Sequence, residues 1–116
     1  MNPPLSRGDV VLTPFPFTNL QGQAVRPAII VSPGAIADDV VLLAVSSVIR
    51  GTQVATDYIL EVNHPEFSLT GLRVRSVLRA HKLFTLEQTV LVRRLGKLGP
   101  LLLAEIDRLL RLVLSL

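Results

Sequence analysis

Short apolar runs separated by polar, proline- and glycine-containing segments make up most of this chain. Runs rich in β-branched residues and bounded by turn residues predict strands. The predicted strands cover residues 10–12, 28–31, 40–49, 58–62 and 90–92. The run at 40–49 is apolar apart from two serines, which is typical of a strand buried on both faces. Residues 84–88 are predicted to form a helical turn or a loop.

A further strand is predicted from residue 72, where apolar and cationic positions alternate. The even positions are Leu72, Val74, Ser76, Leu78 and Ala80, and the odd positions are Arg73, Arg75, Val77, Arg79 and His81. Because side chains alternate between the faces of a strand, one face is predicted to be apolar and the other to carry a row of cations. That row is either an ordinary solvated face or a stripe that binds phosphate groups.

A C-terminal helix is predicted to open at Gly99 and Pro100, since proline suits a first turn that needs no amide donor. Helical spacing places Leu102, Ile106, Leu109, Leu110 and Val113 on one face. Further leucines at 103, 112, 114 and 116 widen this face, which is buried either in its own core or at a subunit contact. Five to seven short strands and one helix predict a single domain, 1–116, of the small β-barrel or α+β class.

The connection between the first two predicted strands, residues 14–25, is long for a hairpin, and loops of this size usually have a function. It carries Phe15 and Phe17 among prolines, which predicts that it packs against the domain. The loop ends at Arg26, where the second strand begins.

The net charge is +3, and most of the basic residues are arginine. Arginine suits bidentate recognition of phosphate, although a GC-rich genome would also favour it. The sequence has no cysteine, no glycine-rich phosphate loop, no HExxH motif and no Cys/His cluster, so neither metal nor cofactor is expected. His64 lies among chain-breaking residues, as a solvated histidine would, whereas His81 lies on the cationic row.

No membrane segment or signal peptide is visible in the sequence, so we expect a cytoplasmic protein. The most apolar stretch, residues 101–116, contains Glu105, Asp107, Arg108 and Arg111, and these charges argue against a membrane span.

Residues 7–32 resemble the N-terminal signature of the PemK/MazF toxin family, in which a Gly-Asp-Val start and a Pro-Phe loop precede Arg-Pro-Ala and an apolar strand. The matching residues are Gly8, Asp9, Val10, Pro14, Phe15, Gly22, Arg26, Pro27 and Ala28. The resemblance continues through 42–50 and 70–86 into the leucine-rich end, and so covers nearly the whole chain. It implies an SH3-like small β-barrel of the PemK/MazF and gyrase-poison type, which forms two-fold dimers.

The resemblance also implies an activity, that of a sequence-selective, metal-independent endoribonuclease acting as the toxin of a toxin–antitoxin pair. Such enzymes cleave single-stranded RNA through the ribose 2′-hydroxyl and leave a 2′,3′-cyclic phosphate. The implied partners are RNA, a cognate acidic antitoxin and a second copy of the chain. A gyrase poison or an inactive homologue on the same fold is the alternative.

Four residues match catalytic positions of the family. Arg26 matches the catalytic arginine after the loop, and Ser46 matches a catalytic threonine, with Ser47 as the neighbouring candidate. Arg79 matches a second arginine of the PemK branch, and His81 stands where that branch has an acidic residue. The residues expected to bind RNA are Pro14, Phe17, Thr18, Gln21, Gln23, Ser47, Arg50, Arg73 and Arg75.

Overall fold

A computed structural model of the chain describes residues 3–15, 25–49 and 51–116. Within them the chain forms β1 (Asp9–Pro14), β2 (Val25–Ile30), β3 (Asp39–Ser46), β4 (Asp57–Leu60), β5 (Ser76–Glu87), β6 (Arg93–Lys97) and α1 (Pro100–Leu114). All strand pairs are antiparallel, and the order in the sheet is β4-β5-β3-β2-β1-β6. The predicted mostly β fold with a C-terminal helix is confirmed.

The central strands are buried on both faces, which explains their continuous apolar runs. On one face Ile29 and Leu43 belong to a core cluster that includes α1. On the other face Ala28 and Leu42 belong to a second cluster, against which Phe84 packs. The interpretation of residues 40–49 as a doubly buried strand is therefore confirmed, although β3 ends at Ser46.

Two shifts in strand register shape the sheet near the site described below. The β1–β6 pairing shifts between Val10 and Val11, and the β3–β5 pairing shifts between Leu43 and Ala44. Such bulges bend a strand and increase its twist. The second shift directly adjoins Arg79, which pairs with Ala44.

The helix α1 begins at Pro100, as predicted, and presents its apolar face to the first core cluster. Its buried residues are Leu102, Ile106, Leu109 and Leu110. Leu103 is half-buried against the same cluster, whereas the leucines at 112, 114 and 116 are exposed. One part of the wide apolar face is thus buried in the domain's own core, and the C-terminal part remains exposed in the monomer.

A buried carboxylate, which the sequence did not reveal, caps the N-terminus of α1. Glu66 is 7% exposed, and its two carboxylate oxygens accept hydrogen bonds from Leu101 N at 2.9 Å and Leu102 N at 2.8 Å. A Cβ atom on Gly99 would overlap this carboxylate, so a larger residue there would displace the cap. Burial, aided by the carboxylates of Glu105 and Glu66, raises the pKa of Tyr58.

The prediction of a strand from residue 72 is wrong at its start. β5 begins at Ser76, because its pairing with β4 ends there. The last residue pair between the two strands is Leu60 with Ser76. Arg73 and Arg75 precede the strand, and only Arg79 and His81 lie on it. The predicted row of cations along one strand face is therefore not formed.

Two predictions further along the chain are also wrong. Residues 84–88 were predicted as a helical turn or loop, but 84–87 continue β5 because they pair with residues 39–42 of β3. Residues 90–92 were predicted as a strand, but a 3₁₀ turn covers Gln88–Val90 and the strand starts at Arg93. Pairing with β3 decides the structure of 84–87. At 90–92 the short apolar run is not sufficient to form a strand.

The start of the long loop packs against the sheet, as predicted for Phe15. Its ring meets that of Phe84 edge to face, with 6.3 Å between the ring centroids. Phe17 lies outside the described residues. No helix in the described part of the chain is long and apolar enough to cross a membrane.

Candidate functional site

Three arginines line one cavity of about 330 Å³ at the end of the sheet. Arg26 comes from β2, Arg73 from the segment before β5, and Arg93 from the start of β6. Ser47 lines the same cavity, just after β3. Apolar side chains complete its wall, among them Leu12, Val25, Leu72, Val74 and Leu95. We call this cavity, defined by Arg26, Arg73, Arg93 and Ser47, the arginine groove.

The charges of the arginine groove are not neutralised by carboxylates of the described residues. Arg26, Arg73 and Arg93 are all exposed, and none forms an ion pair or side-chain hydrogen bond with another described residue. By contrast, five arginines of the described residues each pair with a carboxylate: Arg7, Arg75, Arg79, Arg94 and Arg108. The groove therefore concentrates positive charge that is available to an anion, with apolar surface beside it.

A second cavity of about 270 Å³ lies where β3 ends and β4 begins, beside the paired part of β5. It is lined by Ser46, Val48, Thr52, Gln53, Asp57, Val77 and Arg79, and we call it the β4–β5 groove. The Ser46 hydroxyl accepts a hydrogen bond from Val48 N at 3.1 Å and donates one to Val48 O at 3.3 Å. Ser46 therefore also closes the turn that follows β3.

The two candidate serines line different cavities, since Ser47 accompanies Arg26 and Ser46 accompanies Arg79. The cavities are nonetheless adjacent. β2 and β3 pair through Ala28 with Ala44, and this register, continued by two residues, sets Arg26 opposite Ser46. Both grooves thus lie where β2 begins and β3 ends.

The two histidines differ in their surroundings. His81 is exposed, with its Nδ1 3.0 Å from the Thr56 hydroxyl and 4.0 Å from an Asp57 carboxylate oxygen. His64 accepts a hydrogen bond from Glu66 N at 3.0 Å, so it has a local structural role in its turn. Only His81 lies near the grooves.

The remaining predicted residues are dispersed. Pro14 ends β1, and Arg75 lies outside both grooves, where its Nε donates to Glu61 at 2.8 Å. Residues of the long loop and one arginine lie outside the described residues: Phe17, Thr18, Gln21, Gln23 and Arg50. Among the described residues there is no group of three or more His, Asp or Glu side chains that could hold a metal ion.

Sequence reasoning missed Arg93 and Asp57 as groove residues. Arg93 reaches the arginine groove because it pairs with Leu12 of β1, and Asp57 reaches the β4–β5 groove because it pairs with Arg79. Both placements depend on strand pairing between distant segments. The local sequence carries no signal for either, apart from the charge itself.

Comparison with known proteins identifies similar chains. A family model described as PemK-like, MazF-like toxin of type II toxin-antitoxin system matches residues 6–114. A solved endoribonuclease from a mycobacterial species, in complex with its cognate antitoxin, is 22% identical with a TM-score of 0.74, over 97% of this chain and 96% of that chain.

Two other solved structures are similar over comparable lengths. An endoribonuclease from a mycobacterial species is 23% identical with a TM-score of 0.70, over 100% of this chain and 95% of that one. The MazE–MazF structure from Deinococcus radiodurans is 22% identical with a TM-score of 0.71, over 97% of both chains. A search of curated proteins gave no match. At these identities the solved structures confirm the fold.

Proposed function

Because the chain belongs to the PemK-like, MazF-like family of type II toxin–antitoxin toxins, we propose that it is a sequence-selective, metal-independent endoribonuclease. The observation that carries this proposal is the arginine groove, where three arginines without carboxylate partners among the described residues meet an exposed serine. Uncompensated positive charge attracts the RNA backbone. The apolar wall beside it is suited to unstacked bases of a single strand.

The proposed reaction uses the substrate's own nucleophile. The ribose 2′-oxygen forms a bond to the adjacent phosphorus, its proton passes to a base, and the bond from phosphorus to the 5′-oxygen breaks as that oxygen gains a proton. The products are a 2′,3′-cyclic phosphate and a 5′-hydroxyl. DNA lacks the attacking group, so the mechanism itself selects RNA.

Arg26 is the proposed stabiliser of the charge that develops on the phosphate in this reaction. Its planar guanidinium can donate two parallel hydrogen bonds to the phosphate oxygens. Its ordinary pKa is far above neutrality, so its role is electrostatic. Ser46 is the proposed hydroxyl donor, whereas Ser47, Arg73 and Arg93 are proposed to hold the RNA.

The proposed partners follow from the family and from charge. Solved relatives include complexes with a cognate antitoxin, and an acidic antitoxin segment would complement the arginine groove and compete with RNA for it. We also propose a homodimer that covers the exposed leucines at the end of α1. Its place of action would be the cytoplasm, where mRNA is available.

Cleavage of an RNA oligonucleotide is expected to persist in excess EDTA and to yield 2′,3′-cyclic phosphate ends. The reason is that the 2′-hydroxyl supplies the nucleophile. Mass spectrometry of the products gives the end groups, and the same oligonucleotide made as DNA is the matched control. Products with 5′-phosphate ends, or loss of activity in EDTA, would contradict the mechanism. An uncut RNA would favour a non-enzymatic toxin.

Replacement of Ser46 and replacement of Ser47 are expected to change different kinetic constants. Ser46→Ala should lower kcat by at least about tenfold, because a hydroxyl that donates to the reacting phosphate acts mainly in the transition state. Ser47→Ala should chiefly raise KM. Ser46→Thr is the control for the turn, since it keeps a hydroxyl that can bond Val48. If Ser47→Ala lowers kcat and Ser46→Ala does not, the catalytic hydroxyl belongs to Ser47.

A further inference from the structure

Asp57 is a buried carboxylate at the edge of the β4–β5 groove. Its side chain is 2% exposed. One oxygen accepts a hydrogen bond from Arg79 Nε at 3.2 Å, and the other accepts one from Val54 N at 3.2 Å. Burying a carboxylate is costly unless its partners are well placed. Asp57 and Arg79 therefore form one unit, which is also paired across the β4–β5 ladder.

The way in which Asp57 holds Arg79 leaves most of the guanidinium available. A guanidinium has five N–H donors, and Asp57 engages only the one on Nε. The four donors on the terminal nitrogens have no hydrogen-bond partner in the part of the chain that the structure describes. Those donors form the planar fork that matches two oxygens of a phosphate.

The orientation of this fork is set before any ligand arrives. Arg79 is one-third exposed and lines the β4–β5 groove beside Ser46. A long side chain that is already held in place loses less conformational freedom when it binds. The buried contact with Asp57 thus prepares Arg79 to receive a phosphate in the groove.

Arg75, directly before β5, forms an ordinary exposed ion pair that serves as a comparison. Arg75 also donates through Nε to a carboxylate, that of Glu61, at 2.8 Å. Both of those side chains are 51% exposed, and both lie outside the two grooves. Exposed pairs of this kind contribute little to stability. Burial and position distinguish Asp57 from Glu61.

We propose that Asp57 is a positioning residue of the RNA-cleaving site, which aims the free fork of Arg79 at a phosphate of the bound RNA beside Ser46. This inference rests on the proposed function. His81 also approaches Asp57, with its Nδ1 4.0 Å from the same oxygen that accepts from Arg79. The carboxylate thereby faces two groups of β5, and Arg79 is the one that it holds by a hydrogen bond.

The test is a double-mutant cycle on RNA cleavage with Asp57→Asn, Arg79→Ala and the combined variant. Each single variant should lower kcat/KM by about tenfold, since a misplaced binding group costs rate. The combined variant should be no slower than Arg79→Ala alone, because Asp57 acts through Arg79. Glu61→Gln, the matched change in the exposed pair, should stay within about twofold. Losses that multiply in the combined variant would assign Asp57 a merely structural role and overturn the inference.

A second measurement uses the unmodified protein and needs no cleavage. NMR of ¹⁵N-labelled arginine side chains reports the Nε–H of Arg79, which should exchange slowly with solvent because Asp57 accepts it. An RNA with a 2′-deoxy substitution at the cut site should shift the terminal NH₂ signals of Arg79 and leave the Nε–H signal in place. Loss of the protected Nε–H on binding, or no shift at all, would overturn the inference. Failure of unmodified RNA to be cut would instead overturn the proposed function.

Discussion

Replacement of Arg26 by alanine is expected to lower kcat/KM for RNA cleavage by at least about a hundredfold, the usual cost of removing one electrostatic stabiliser. The side chain is exposed and has no ion pair among the described residues, so its charge is available to the substrate. For the same reason the melting temperature should stay within about 3 °C of the unmodified protein. Steady-state cleavage of an RNA oligonucleotide and thermal melting measure the two quantities.

Two further variants separate the role of Arg26 from that of charge in general. Arg26→Lys keeps the positive charge but loses the planar fork, so it should recover only part of the rate. Arg108→Ala removes an exposed arginine that pairs with Glu105 on α1, far along the chain from either groove, and should cleave normally. Equal losses in Arg26→Ala and Arg108→Ala would mean that net charge alone drives RNA binding.

Local pattern was enough to predict the central elements of the fold. The apolar runs of β2 and β3 and the proline that opens α1 can be seen in the sequence, because burial and helix entry depend on neighbouring residues. Arg26 was predicted at the start of a strand, and it lies there. Resemblance to a family added the barrel, which periodicity alone left open.

The ends of β5 could not be predicted in this way, because partner strands decide them. Residues 84–87 are predicted as a helical turn or loop, yet β3 pairs with them and extends the strand. Arg73 and Arg75 alternate as strand residues would, yet the pairing of β5 with β4 ends at Ser76, so the residues before it have no partner in β4. The cationic stripe predicted from alternation is replaced by a groove whose arginines come from three separate segments.

The candidate site shows the same limit. Arg93 and Asp57 join their grooves through pairing with Leu12 and Arg79, and neither pairing has a signature in the surrounding residues. Alternation along a strand predicts that Ser46 and Ser47 face apart, but the cavity that each one lines depends on the neighbouring strands. Single charged and hydroxyl residues could therefore be predicted from the sequence. Which of them share a cavity depends on how the strands pair in the sheet.

Glu66 has the largest predicted effect on stability. Glu66→Ala should lower the free energy of unfolding by about 3 kcal/mol, because two hydrogen bonds to a buried carboxylate are lost and the Leu101 and Leu102 amides lose their acceptor. The carboxylate also lies at the positive end of the helix dipole, which adds to the loss. For a chain of this size the melting temperature should fall by roughly 10 °C. Denaturant unfolding and thermal melting measure both values.

The same cap can be tested by a change at Gly99, which contacts the Glu66 carboxylate. Gly99→Ala places a Cβ where the Glu66 carboxylate lies. It should therefore destabilise the protein, because the carboxylate has to move away from the two amides that it caps. If both changes act on one contact, Gly99→Ala should cost little more in the Glu66→Ala background, since the overlapping group is gone. Glu61→Gln, on the exposed pair with Arg75, is the control and should change the melting temperature by less than about 3 °C. Additive losses in the double variant would show that Gly99 is needed for backbone geometry rather than for the cap.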